Sequence, residues 1–170
     1  MFSMYYTPYI LASYVFIVFG LSRFAIPHLN SRPEKIPDKI SEDMENAINE
    51  LRAGSKSAGE FLNLTFNYIG NKFRSERFNT ILKFHYLFFP LEKVWPMSGY
   101  MPCTISNFML TVFLVKSGYF KAEDIKKKHV FVNFIPHQYL KMKVGESWID
   151  VDVGEKQRGL PIGKHLRFFG

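Results

Sequence analysis

A single cysteine, Cys103, stands in these 170 residues. It excludes an intramolecular disulfide and any CxxC zinc or redox site, and such sparing use fits a reducing compartment. No RNP-like, KH-like or zinc-finger pattern occurs, so nucleic acid is not an expected partner. Internal repeats and low-complexity tracts are missing as well. Acidic side chains are in deficit, 15 against 22 basic ones, for a net charge of +7. Such a surface favours anionic partners. The densest basic run, "KKKH" from Lys126 to His129, reads as a solvated turn ahead of a strand.

Charge is missing altogether from residues 1–22, and the first charged side chain is Arg23. The strongly apolar stretch from Tyr9 to Leu21 is shorter than the roughly 20 residues that span a bilayer. Spanning would need the Tyr-rich ends, and Tyr5, Tyr6 and Tyr9 suit an interfacial belt. With no basic n-region and no small-x-small site, a cleaved signal peptide does not fit. Two readings stay open: a membrane anchor through residues 1–22, or a buried or partner-binding helix. In the first case Arg32, Lys35 and Lys39 would favour a cytoplasmic, membrane-associated location for the rest of the chain.

What the chain does have is apolar mass, 47% hydrophobic and 17% aromatic residues, enough to bury a large core. Residues 1–26 form the apolar N-terminal segment. Residues 27–40, with three prolines, read as a linker, and 41–170 as one domain. Ser41, with acids just after it, is a candidate N-cap for a short helix ending at Gly54. A second helix is predicted from Ser57 to about Phe73, with Phe61, Leu64, Thr65 and Tyr68 on one face. The aromatic stretch 78–95 is ambiguous between helix and strand, and Pro90 interrupts it. Ile105, Phe108, Met109 and Val112 have the spacing of a buried helix, with Pro102 suited to its first turn and Gly118 to its C-cap. A strand over 129–135 leads into a hairpin. Helices first and an antiparallel sheet after make an α+β domain.

Cys103 lies at or beside the start of this predicted helix. Backbone N–H groups left unpaired at a helix start favour a thiolate over a thiol and stabilise an oxyanion. A histidine beside a cysteine acts as its base and then as an acid to the leaving group. A carboxylate behind that histidine fixes its tautomer. "HQYLKMKVGESWIDVD" supplies both. A turn centred on Gly145-Glu146 pairs 144 with 147. His137 and Asp152 then become diagonal neighbours on one face, and Asp150 sits opposite Lys141 as a cross-strand charge pair. A three-residue loop would split His137 from Asp152. His165 is the rival base. His85 reads as packed or partly buried, His129 as solvated and Trp148 as core.

In this arrangement the chain resembles the transglutaminase-like (papain-like) cysteine superfamily. Its members carry a Cys at the start of a buried helix and a strand beginning with His. The hairpin's second strand has Trp followed four positions later by the triad Asp. The matching residues are Cys103, His137, Trp148 and Asp152, and the resemblance covers about residues 57–155. Gly99 stands four positions before Cys103, further than usual, and Tyr139 replaces the commoner Trp. Tyr100 is the one candidate for a side-chain oxyanion donor. The resemblance implies a transglutaminase-like core and a catalytic triad of Cys103, His137 and Asp152. The activity it implies is cysteine-dependent acyl transfer or amide hydrolysis on a protein or peptide substrate, with no cofactor and no metal. The alternative is a catalytically inactive module of the same fold, acting as a structural or interaction subunit and tethered to a membrane.

Overall fold

The computed structural model describes residues 6–17, 35–76, 79, 82–132 and 135–166. The rest of the N-terminal segment and most of the predicted linker lie outside the described residues. Helix α1 (Thr7–Val15) has Pro at its start and no charged residue. It is apolar on every side and exposed: Tyr9, Ile10, Leu11 and Tyr14 face outward, as do Phe16 and Ile17 just after it. Among the described residues no helix is long and apolar enough to cross a membrane.

Helix α2 (Glu42–Ala53) follows Ser41 and buries Met44, Ala47 and Ile48. Three acids occupy its first turn, where they complement the helix dipole. Ser41 holds the N-cap position through its carbonyl, which accepts the N–H groups of Met44 and Glu45. Its hydroxyl makes no cap bond. Helix α3 (Ala58–Lys72) is capped by side chains at both levels: Ser57 Oγ accepts the Glu60 N–H at 3.2 Å and Glu60 accepts the Lys56 N–H at 2.7 Å. Its buried stripe is Phe61, Leu62, Thr65, Phe66 and Ile69, while Leu64 and Tyr68 lie at the exposed rim. The sequence placed both on the core face. The stripe is wider and rotated because α3 packs on several sides, chiefly against a later helix and a 3-10 turn near the C-terminus.

Two residues after α3, β1 (Phe73–Arg74), pair in parallel with β2 (Gly99–Tyr100). Between them the ambiguous aromatic stretch, of which residues 78, 80 and 81 lie outside the described residues, includes a 3-10 turn over Phe84–Phe88 and a one-turn helix α4 (Leu91–Val94), with Pro90 at its N-cap. Helix α5 (Cys103–Lys116) then runs through the core, with ten of its 14 residues buried. Gly118, at φ 80°, follows its end, a backbone conformation that favours glycine.

The sheet is antiparallel, in the order β3 (Ile125–Val132), β4 (Ile135–Val144), β5 (Ser147–Val151). Helices followed by this sheet give the α+β class. β3 starts four residues earlier than the sequence suggested, so Lys126, Lys127 and Lys128 belong to the strand, not to a turn. The two-residue turn at Gly145-Glu146 sets the expected register, Leu140 against Val151 through Val144 against Ser147, with Gly145 at φ 61° as such turns require. Leu140, Met142 and Val151 point into the core with Ile105 and Met109 of α5. By the pleat, His137, Tyr139 and Lys141 take the opposite face.

Candidate active site

Cys103 is the first residue of α5. Its approach is fixed by the β1–β2 bridge: Met101 donates its N–H to the Arg74 carbonyl at 3.0 Å, and Ser75 Oγ donates to the Met101 carbonyl at 3.3 Å. Gly99, at φ 85°, supplies the bend before it. Pro102 in extended conformation caps the helix, and Cys103 is half-buried.

His137 lies near the start of β4, across from Val130. One helical turn beyond Cys103, the buried Asn107 donates from Nδ2 to the carbonyl of Gln138 at 2.7 Å. That bond ties the helix bearing the cysteine to the strand bearing the histidine. Asp152 follows the last residue of β5 and precedes a 3-10 turn over Val153–Arg158. Within that turn Gly154 accepts the Ser75 N–H at 3.2 Å. A Cβ on Gly154 would lie 2.5 Å from Ser75 Oγ and 3.6 Å from Cys103 Cβ. The backbone therefore packs this closely on Ser75, beside the cysteine, only because residue 154 has no side chain.

These elements bring the three sequence-predicted site residues together. His137 Nε2 and Asp152 Oδ2 are 2.7 Å apart, and both side chains are buried. The Cys103 side chain lies within interaction range of His137 and favours its charged form. With Nε2 on Asp152, Nδ1 is the nitrogen left for the sulfur. Burial is the largest influence on His137 and favours the neutral ring. The hydrogen bond to Asp152 and the nearby Cys103 side chain, with their charges, outweigh it and push the pKa up to about 10. Such a site holds a protonated imidazole between a carboxylate and a sulfur.

The neighbouring residues differ from the sequence reading in four places. Asp150 stands across from Lys141 in the ladder, yet its carboxylate meets His165 Nδ1 at 2.9 Å. The expected Lys141–Asp150 charge pair is not formed among the described residues. An imidazole is a planar partner held by the folded-back C-terminal segment, whereas a lysine at a strand surface extends into water. Trp148 is not core: it is 36% exposed, with Lys126 Nζ 4.1 Å above its ring. His85 is exposed, edge-on to Tyr86 and Phe89. His129 is partly buried, 3.1 Å from Gln138 Nε2. Tyr100, the candidate oxyanion donor, is buried with its ring 6.0 Å from that of Tyr86.

Sequence reasoning missed Ser75, Asn107, Gly154 and Leu166. Only Gly154 carried a usable signal, a glycine two residues after the expected carboxylate. Among the described residues no group of three or more His, Cys, Asp or Glu is arranged to hold a metal ion. Family models, curated proteins and solved structures contain no match to this chain.

Proposed function

We propose that the chain is a transglutaminase-like cysteine enzyme catalysing acyl transfer or amide hydrolysis through Cys103, His137 and Asp152. The observation that carries this reading is a buried imidazole bonded to Asp152 at 2.7 Å, with Cys103, the first residue of α5, near enough to favour its charged form. The Cys103 sulfur attacks the amide carbonyl carbon of a protein or peptide, and His137 holds the proton the sulfur gave up. His137 passes that proton to the leaving amine as the C–N bond breaks, leaving a thioester. Water or a second amine then attacks the thioester while His137 removes its proton, and the thiol is restored. Asp152 keeps the ring oriented and stabilises its charged form. Helix geometry leaves the N–H groups of Cys103 and Thr104 without intrahelical acceptors, so they are the candidates to bind the oxyanion.

A second reading keeps the fold without the chemistry: a structural or interaction subunit, held to a membrane or partner by the N-terminal segment. It is favoured by the exposed apolar surface of α1. Thiol chemistry separates the two. Cys103 should alkylate with iodoacetamide at neutral pH, and His137→Ala should slow the reaction sharply. A glutamine-containing peptide with and without an added amine then distinguishes transfer from hydrolysis. A thiol that stays unreactive in the folded chain would favour the second reading.

A further inference from the structure

Residues 163–166 fold back across the hairpin and reach the triad from behind. Gly163 donates its N–H to the Asp150 carbonyl at 2.8 Å. His165 Nδ1 meets Asp150 Oδ2 at 2.9 Å, and its ring lies flat on Tyr139, centroids 4.1 Å apart and 5° from parallel. Leu166 then donates its N–H to Asp152 Oδ2 at 3.2 Å, the same oxygen that holds His137.

These contacts form one connected unit. Asp150 and Asp152 are alternate residues of the hairpin's second arm, and Tyr139 is the alternate neighbour of His137 on β4, so all four share a face. A buried carboxylate held by one donor alone can swing about its last torsion, whereas a second donor on the same oxygen fixes it. Leu166 N–H is that second donor. It can arrive there only if the preceding residue is anchored, and His165 is anchored twice, by Asp150 and by Tyr139. We propose that residues 163–166 are a strap that positions Asp152, and that the His165–Asp150 pair is its buckle. His165 and Asp150 are then positioning residues of the same site, acting through Asp152 on His137. This rests on the triad reading above.

The test uses the full chain and the rate of Cys103 alkylation at pH 7. His165→Ala and Asp150→Asn should each slow it by about ten- to a hundredfold, the range expected when a catalytic group is misplaced. The double variant should be no slower than either, because the two act as one unit. His165→Gln, whose amide still reaches Asp150, should recover part of the rate. The downfield proton resonance of the His137–Asp152 hydrogen bond should broaden or move in step with the rate, which a loss of general stability alone would not produce. Where His165→Ala melts the fold, the isosteric Asp150→Asn carries the same comparison. Unchanged rates in both variants, beside His137-dependent alkylation of the unaltered chain, would overturn the strap and leave the triad standing. A thiol indifferent to His137→Ala would overturn both.

Discussion

Burial alone would discharge His137; its two partners reverse that, and the reversal has a pH signature. The folded pKa of about 10 lies above the ordinary 6.5. A raised pKa contributes stability that is fully present below about 6.5 and is lost as pH climbs through about 10. The melting temperature of the unaltered chain should therefore fall between pH 7 and 10 more steeply than that of His137→Gln. Parallel curves would mean the imidazolium is not held as described. Asp152→Asn removes the charge but keeps the shape, and should cost turnover at least about 10²-fold, the usual worth of a positioned acid–base group. Gly154→Ala would drive a methyl to 2.5 Å from Ser75 Oγ, overpacking worth about 1–3 kcal/mol. Its melting temperature should drop, and Cys103 alkylation should slow with it. At this scale the sequence revealed the residues whose chemistry is their own. Cysteine, histidine and aspartate announce what they can do. Asn107 and Ser75 matter through what they touch, Gln138 and Met101, 31 and 26 residues away in the chain, and no local pattern records that.

Elements were legible where one periodicity dominated. α5 announced itself by its apolar spacing, with Pro102 before it and Gly118 after it. β3 did not, because its lysines share a strand with Ile125 and His129 and blur the alternation of faces. The aromatic stretch around Pro90 follows neither period: its described part from 84 onward folds as a 3-10 turn and the single turn of α4, too short for either pattern. The hairpin was the most informative element, since its two-residue turn fixes every pairing above it. One extra residue after Gly145 should shift β5 by one position and send Asp152 to the face opposite His137. We expect that insertion to abolish the imidazole–carboxylate hydrogen bond seen by proton NMR and to slow Cys103 alkylation as much as His137→Ala does. An insertion variant with an intact bond and native reactivity would show that the turn absorbs the residue as a bulge and does not set the register.

On the scale of the whole molecule the chain divides by what covers its apolar surface. From α2 onward, hydrophobic side chains close on one another: Met44, Phe61, Met109, Phe113 and Leu140 are almost wholly inaccessible. α1 is the opposite case, with Tyr9 at 73%, Leu11 at 62% and, just after it, Phe16 at 64% exposure. A helix apolar all round and exposed among the described residues calls for an apolar environment elsewhere. Such a surface suits a lipid interface or an apolar partner. The +7 net charge would add attraction to an anionic lipid surface. The full chain should sediment with vesicles containing anionic lipid and less with neutral ones. A chain beginning at Lys35 should stay in the supernatant with both, while its Cys103 keeps the alkylation rate of the full chain, because every residue of the site lies beyond that point. If the full chain ignores vesicles and remains monomeric without detergent, the apolar segment is covered by its own domain, and deleting it should then lower the melting temperature instead.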